Sequence, residues 1–294
     1  MEEGHHKMKF SVSTYSLSGL VGKNGVTEKD LIKIAKDIGF DGIEFAEIHT
    51  PENKDKKEYA KELNEECKKV GIIPVQYSIG ADFLNNDIEK EIDRLKYEVE
   101  VAEILGVSGM RHDGTSGFQG EDRKIKGFNE ALPYLIKGCK AVTEYAKTKG
   151  IRTMMENHGF FCQDSDRVEK IVTGVADSNF GLLLDMGNFL CADENPVVAF
   201  GKLMPYVSFV HAKDFHIKNG NNIPPCDGFF TTRGGTHLRG AVLGHGDVPV
   251  FQCLSLVKNS GYDYFITLEF EGCEEPRMAC EWGLNTLKKY ISLI

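Results

Sequence analysis

The sequence predicts a single-domain (β/α)8 TIM-type barrel, and three observations support this fold class. Short apolar runs with strand character alternate strictly with helical patterns, eight of each. The chain has 294 residues, a length at which α/β barrels form one domain. Four of the apolar runs end in a carboxylate or an imidazole, and barrels place their active sites at such strand ends. A doubly wound open sheet is the alternative, but no Gly-x-Gly-x-x-Gly follows the first strand to favour it.

The predicted strands are short apolar runs. The first alternates apolar residues with serines, and the last four end in polar groups that can bind ligands. The strands are predicted at 10–17, 42–48, 74–79, 108–112, 152–159, 180–185, 207–214 and 264–271.

The predicted helices show apolar residues at helical spacing and begin or end at recognisable caps. Thr27 is predicted as the N-cap of the first helix, and Gly39 ends it. Glycine also ends most of the later helices, and Pro249 takes the favoured first position of another. The remaining helices are predicted at 54–70, 88–105, 128–149, about 165–172, shortly after Pro196, from Pro249 to Gly261, and 277–293.

Composition narrows the classes of function. The net charge of −9 argues against a nucleic-acid or membrane surface, and no apolar run approaches the length of about 18 residues that a membrane span needs. Eight scattered cysteines without a Cys-x-x-Cys pair, and no apolar signal segment, predict a cytoplasmic protein with free thiols. We expect a flexible N-terminal segment at 1–9, a catalytic barrel at 10–294, and within it a long loop at 216–247 without clear periodicity.

Metal-competent side chains occupy the ends of the fifth to eighth predicted strands. They are Glu156, Asp185, His211 and Glu269. In a barrel these ends are neighbours around half of the rim. Each residue alone is more often a simple hydrogen-bonding group, but four at adjacent strand ends predict a site for one divalent metal ion. Three carboxylates and one imidazole suit Mn²⁺ first, with Mg²⁺ and Co²⁺ as alternatives, and Zn²⁺ is less typical of such ligands.

Four motifs in the chain resemble those of the xylose isomerase-like barrels. The motifs are Met155-Glu156-Asn157-His158, Leu184-Asp185-Met186-Gly187-Asn188, Val210-His211-Ala212-Lys213-Asp214 and Leu268-Glu269-Phe270-Glu271-Gly272. More narrowly they are similar to those of the sugar phosphate isomerase/epimerase group, which includes ketose 3-epimerases, hydroxypyruvate isomerase and inosose dehydratase. The resemblance covers the chain from Phe10 onward. It implies that the four strand-end residues are the metal ligands and that Glu156 and Glu269 exchange protons with two faces of a substrate carbon.

Two positions depart from the ketose 3-epimerase pattern. Asn188 stands where those enzymes have a His, and Ile217 stands where they have an Arg. Both positions contact substrate in that subgroup. The segment 231–247 is also similar to the metal-bearing subunit of enzymes that cleave C-glycosides, which release a 3-oxo sugar from an aromatic aglycone by elimination.

Further residues are candidates for contact with substrate. His112 ends the fourth strand beside the metal half of the rim, where it would act as a base or substrate contact, or as an ordinary hydrogen-bonding residue. Lys213 and Asp214 are expected to pair beside the metal, unless Lys213 holds a substrate oxygen. The loop is expected to shape substrate choice, with an oligomer contact as the alternative. The predicted substrate-binding residues are Glu47, His158, Asn188, Lys213, Arg239 and His245.

These residues are suited to removing a proton next to a carbonyl group. The first hypothesis is a metal-dependent isomerase or epimerase of a small sugar or sugar phosphate that forms a homo-oligomer. The second is a lyase, either of the inosose dehydratase type or a C-glycoside-cleaving subunit with a second protein. An apurinic endonuclease is disfavoured by the acidic charge balance. A non-catalytic sugar-binding barrel would not need four aligned ligands.

Overall fold

Eight parallel strands form the centre of the computed structural model, which describes residues 8–221, 223–225 and 227–294. They are β1 (Lys9–Ser13), β2 (Gly42–Ala46), β3 (Ile73–Ile79), β4 (Gly109–His112), β5 (Arg152–Glu156), β6 (Phe180–Asp185), β7 (Val207–Ala212) and β11 (Phe265–Leu268). The strands pair in this order around a closed barrel, and β11 pairs with β1 to complete it. The predicted (β/α)8 barrel is therefore confirmed.

Helices connect the successive strands and bury their apolar faces. They are α1 (Thr14–Leu17), α2 (Asp30–Ile38), α3 (Lys56–Val70), α4 (Ile88–Leu105), α5 (Phe128–Thr148), α6 (Ser165–Val175), α7 (Asn188–Cys191), α8 (Pro196–Leu203), α9 (Val250–Asn259) and α10 (Pro276–Leu293). Thr27, predicted as the N-cap of this helix, lies three residues before the first residue of α2 and forms the reciprocal hydrogen bonds of a capping box with Asp30. Its backbone N–H donates to the Asp30 carboxylate at 2.8 Å, and its hydroxyl accepts the backbone N–H of Asp30 at 3.4 Å. None of the described helices combines the length and apolar character that crossing a membrane requires.

Several barrel strands are shorter than predicted at their carboxyl ends. The first strand stops at Ser13, whose side chain caps the short helix α1. The fifth stops at Glu156, the seventh at Ala212 and the eighth at Leu268. In each case the chain leaves the barrel close to its polar strand-end residue, so these residues lie at the rim.

The segment 216–247 is not the irregular loop that its composition predicts. It contributes to an antiparallel sheet of β8 (Asp214–Lys218), β9 (Phe230–Thr231) and β10 (His237–Ala241), in the order β8-β10-β9. Phe215 and Leu238 are fully buried and anchor this sheet. The side chain of Asp214 accepts hydrogen bonds from the backbone N–H groups of Gly244, Gly246 and Val248, which fixes the return of the chain. The insertion is thus a folded subdomain.

The amino terminus was predicted to be flexible over residues 1–9. Residues 1–7 lie outside the described part of the chain, whereas Lys9 begins β1 and pairs with Phe265 of β11. The barrel therefore begins one residue earlier than predicted.

Apolar side chains fill the barrel interior on the amino-terminal side of the strand-end polar residues. These are Val75, Met154, Leu183, Phe209 and Phe265. Met154, Leu183 and Phe209 each precede a strand-end polar residue by two positions, and residues two apart in a strand point to the same face. The strand-end side chains therefore also point into the barrel, one layer above an apolar floor.

Candidate metal centre and active site

The four residues predicted as metal ligands converge at the carboxyl end of the barrel. Their ligand atoms all lie within 4.8 Å of one another. The Nδ1 atom of His211 is 3.8 Å from Oε1 of Glu156, 3.7 Å from Oδ2 of Asp185 and 3.4 Å from Oε2 of Glu269. Three of the side chains are buried and that of Glu269 is only slightly exposed. The predicted constellation is thus one compact cluster.

The cluster can bind a divalent cation. Nδ1 of His211 and Oδ2 of Asp185 are buried and, within the residues that the structure describes, neither has a hydrogen-bond partner. Burying such atoms without a partner is unfavourable. A cation among the four side chains would satisfy both atoms, and three carboxylates with one imidazole form a donor set that suits hard or borderline divalent ions.

Glu44 fixes the orientation of the imidazole of His211. Nε2 of His211 donates a hydrogen bond to Oε2 of Glu44 at 2.6 Å, and the hydroxyl of Ser78 donates to the other carboxylate oxygen at 2.8 Å. This leaves Nδ1 directed at the cluster, an arrangement common around histidine metal ligands. Burial lowers the pKa of His211, but the negative charges of Glu44 and Glu269 raise it well above its usual value.

Asp185 is held so that one carboxylate oxygen stays free. Its Oδ1 accepts the backbone N–H groups of Gly187 and Asn188, both at 2.8 Å. The backbone N–H of Asp185 donates to Oδ1 of Asn157 at 2.8 Å, and the backbone C=O of Asp185 accepts a hydrogen bond from Nδ2 of Asn157 at 3.0 Å. Burial raises the pKa of Asp185 to about 7, and the charges of Glu269 and Glu156 act in the same direction. A bound cation would oppose this shift.

Glu156 is held by an arginine that the sequence analysis overlooked. Nε and Nη2 of Arg111 lie 2.7 and 2.5 Å from the same carboxylate oxygen, Oε2 of Glu156, so two charge-assisted contacts hold that oxygen. The amide of Asn188 donates to the other oxygen at 2.9 Å. Asn188, predicted to contact substrate, is therefore buried and occupied with positioning Glu156.

Lys213 brings a positive charge to the cluster. Its Nζ atom lies 2.6 Å from Oε2 of Glu269, 3.5 Å from Oδ2 of Asp185 and 3.4 Å from Oε2 of Glu271. Burial raises the pKa of Glu269, but Lys213 and His211 lower it well below its usual value. The predicted pair with Asp214 does not form, because Asp214 bonds the insertion instead.

A cavity of about 340 Å³ opens above the cluster. Glu156, His211 and Glu269 line its floor, and the predicted substrate residues Lys213, His158 and Glu47 also line it. Nδ1 of His158 lies 3.0 Å from the carboxylate of Asp113, which directly follows β4. The volume falls within the range of small-molecule sites in proteins.

His112 does not reach this cavity, which corrects its predicted role as a base or substrate contact. Adjacent residues of a strand point to opposite faces, so Arg111 faces the cavity and His112 faces the outer layer. The imidazole of His112 is fully buried, with its ring centroid 5.9 Å from that of Phe83 and 6.3 Å from that of Phe180.

Two predicted substrate residues of the insertion also lie away from the described lining of this cavity. The guanidinium of Arg239 lies 3.5 Å from Glu274 and over the ring of Phe229. The exposed imidazole of His245 lies beside Trp282 of α10, with ring centroids 5.9 Å apart and the ring planes tilted by 39°. Arg239 lies on β10 and His245 in the turn that follows it, so the insertion directs both side chains away from the cavity.

Sequence reasoning missed Glu44 although a signal was present. Glu44 interrupts the apolar run of the second strand, and a carboxylate at a buried strand position needs a partner. Glu47 was chosen instead because it follows that strand. The structure exposes Glu47 at the cavity mouth and buries Glu44 completely.

Comparisons with known proteins agree with this architecture. Residues 32–290 match the family described as xylose isomerase-like TIM barrels. An inosose dehydratase of Mesomycoplasma hyopneumoniae strain J is 24% identical over 278 residues, which covers 86% of this chain and 87% of that protein.

Solved structures show the same fold. The probable 3-DHS dehydratase of Bacillus anthracis superposes with a TM-score of 0.71 at 20% identity, over 95% of this chain and 99% of that one. A D-tagatose 3-epimerase-like protein superposes with a TM-score of 0.69 at 19% identity, over 97% and 98% of the two chains. The relatives are named as dehydratases and as epimerase-like, so the family is one of enzymes. By its match over residues 32–290, this chain belongs to the xylose isomerase-like TIM barrel family.

Proposed function

We propose that this chain is a metal-dependent isomerase or epimerase that removes a proton from the carbon next to the carbonyl group of a small carbohydrate. One observation carries the proposal. Glu156 and Glu269, the outer members of the four-residue cluster in the barrel order β5-β6-β7-β11, both line the cavity. Two carboxylates flanking one space can serve opposite faces of a substrate carbon.

A divalent cation bound by the four residues, with Mn²⁺ as the first choice, would polarise the substrate carbonyl and stabilise the negative charge that forms there. The chain's own residues would move the proton. Glu269 is kept ionised by Lys213 and His211 and can accept it. Glu156, held in position by Arg111, can return a proton from the other side. His158 is half-exposed at the wall and can hydrogen-bond a substrate hydroxyl.

A dehydratase is the second candidate, and two observations favour it. The inosose dehydratase of Mesomycoplasma hyopneumoniae matches 86% of this chain. The cavity also contains two groups that can carry a proton to a departing hydroxyl, the ammonium of Lys213 and the imidazole of His158. Elimination begins with the same proton abstraction and differs in the loss of water from the next carbon.

The test is an NMR assay in D₂O with Mn²⁺ and a panel of ketohexoses, inososes and 3-oxo-glucosides. Incorporation of solvent deuterium at one carbon, with all hydroxyls retained, supports the isomerase or epimerase. Loss of a hydroxyl with appearance of an enone absorbance supports the dehydratase. The chelated protein and Glu269→Gln serve as controls and should show neither. No exchange with any member of the panel would contradict the proposal.

A further inference from the structure

Lys213 contacts the oxygen atoms that a divalent cation in the candidate metal centre would bind. The residue is buried, and its Nζ atom lies 2.6 Å from Oε2 of Glu269 and 3.5 Å from Oδ2 of Asp185. The same two oxygens face Nδ1 of His211, at 3.4 and 3.7 Å. The ammonium group and a cation beside His211 would therefore use the same carboxylate oxygens.

Other groups that hold the cluster leave these oxygens free. Two backbone N–H groups donate to Oδ1 of Asp185 and not to Oδ2. Arg111, a second cationic side chain at the cluster, contacts Oε2 of Glu156, whereas Oε1 of Glu156 faces His211. These contacts fix the ligands without taking the oxygens directed at the imidazole. Lys213 differs from them because it lies against ligand atoms.

Lys213 also has partners that do not belong to the cluster. Its Nζ atom lies 3.2 Å from Oδ1 of Asn188 and 3.4 Å from Oε2 of Glu271. All four contacts of the ammonium are to oxygen acceptors, which suits a group with three donors and no acceptor. Asn188 and Glu271 can keep the ammonium partnered after it releases Glu269 and Asp185. The charge therefore does not have to leave its buried position when a cation binds.

The charge of Lys213 acts on the cluster in two opposite directions. The carboxylates of Glu156, Asp185 and Glu269 lie close together and repel one another, and the ammonium offsets part of this repulsion. Towards a divalent cation bound by the same carboxylates, the ammonium is a neighbouring like charge and opposes binding. In a buried site, repulsion between such close charges is enough to change an affinity by about tenfold or more.

We infer that Lys213 is an internal counter-ion that competes with the metal ion, lowering the affinity of the cluster for metal and stabilising the cluster when metal is removed. Metal binding then replaces one cation by another at the oxygens of Glu269 and Asp185, so the protein can exchange its metal without losing its fold. The inference rests on the metal site of the proposed function but not on the reaction proposed for it.

The first test measures Mn²⁺ binding to chelator-treated protein by isothermal titration calorimetry. Lys213→Met removes the charge and keeps a long side chain, so Mn²⁺ should bind about tenfold more tightly or better. Lys213→Gln should change the affinity in the same direction, and it replaces the methionine variant if that one does not fold. Lys213→Arg keeps the charge and should not tighten binding. Lys202→Met, which removes a lysine paired with Asp166 and Glu169 on the outer helices, is the matched control and should leave the affinity unchanged.

The second test is thermal unfolding with EDTA and with Mn²⁺ at one fixed concentration. In EDTA, Lys213→Met should lower Tm, because Glu269, Asp185 and Glu271 lose a counter-charge. Mn²⁺ should then raise the Tm of this variant by more than it raises that of the unaltered protein, since tighter binding to the folded state stabilises it more. A loss of packing alone would lower Tm by the same amount in both conditions and would contradict the inference.

The outcomes separate the inference from the proposed function. Unchanged or weaker Mn²⁺ binding by Lys213→Met and Lys213→Gln, beside clear binding by the unaltered protein, would overturn the role of Lys213 and leave the proposed function intact. Absence of Mn²⁺ binding by the unaltered protein and by both variants would overturn the metal site, and with it both proposals. Tighter binding by the variants, without deuterium exchange on any substrate of the panel, would support the role of Lys213 and contradict the proposed reaction alone.

Discussion

The two halves of the barrel rim contribute to the candidate site in different ways. The half formed by β5, β6, β7 and β11 carries the four side chains that can bind a metal. The half formed by β1 to β4 carries none of the four, but it supplies Glu44, Ser78 and Arg111, which hold two of them in place. One half therefore carries the metal-competent groups, and the other helps to fix the geometry of two of them, His211 and Glu156.

The two halves also differ in what their polar side chains contact. In the ligand half, which carries the four metal-competent residues, each side chain reaches the common cluster from within one position of the end of its strand. In the supporting half, formed by β1 to β4, Glu44 sits in the middle of β2 and reaches across the barrel to His211 on β7. We therefore expect ligand-half substitutions to affect the reaction itself, and supporting-half substitutions to act through metal affinity.

The largest expected effect is in the ligand half. Glu269→Gln and Glu156→Gln each remove a ligand charge and a proton-transfer group, so turnover should fall by a factor on the order of 10² or more. The loss should persist at saturating Mn²⁺. Turnover is measured by deuterium exchange on the best substrate of the panel. Glu281→Gln on the exposed face of α10 is the matched control and should retain activity. Turnover near that of the unaltered protein in either variant would contradict the proton-transfer role.

The ligand half was predictable from the sequence because its signals are local. Each metal-competent residue follows its own apolar run, and the alternation of strands and helices places those ends side by side. The barrel itself was predictable for the same reason. Element ends were less accurate, since whether β7 stops at Ala212 depends on how the following chain packs.

The supporting half depends on contacts between residues far apart in the chain. Glu44 and His211 are separated by 167 positions, and their hydrogen bond exists only once the barrel closes. The small sheet was missed for a related reason. The pairing of β8 with β10 joins segments about twenty residues apart, and the sequence between them shows no alternation. With the sheet unrecognised, Arg239 and His245 were chosen as substrate residues.

Glu44→Gln tests the supporting half and should have the next largest effect. Without its charge, residue 44 holds the imidazole of His211 less firmly, so Mn²⁺ affinity should fall by about 10- to 100-fold. Turnover should recover at saturating Mn²⁺, in contrast to Glu269→Gln. Metal titration followed by deuterium exchange measures both quantities. Glu52→Gln at an exposed turn is the control. Low turnover at saturating metal would show that Glu44 acts in the reaction itself. It would then contradict the proposed difference between the two halves of the barrel rim.

Ser78→Ala should have a smaller effect of the same kind. It removes the hydrogen bond to Oε1 of Glu44, while the contact of Glu44 with His211 at 2.6 Å remains. A net loss of roughly 1 kcal/mol corresponds to about a fivefold weaker affinity for Mn²⁺. Ser208→Ala on β7 is the matched control, because the hydroxyl of Ser208 is buried without a hydrogen-bond partner in the described part of the chain. A loss as large as that of Glu44→Gln would mean that Glu44 depends on Ser78 for its orientation.

The smallest effect is expected for Arg239→Ala and His245→Ala, the two residues that sequence reasoning assigned to substrate. Arg239 makes a partly exposed contact with Glu274, and such pairs contribute less than about 1 kcal/mol to stability. His245 contacts Trp282 on the outer surface. We therefore expect kcat/KM to change by less than about twofold, within the ordinary range for surface substitutions. Gel filtration of the two variants separates a contact between protein copies from a substrate role. A change of size with unchanged kinetics would identify the outer face as an interface, whereas a rise in KM for His245→Ala would show that the insertion reaches the substrate.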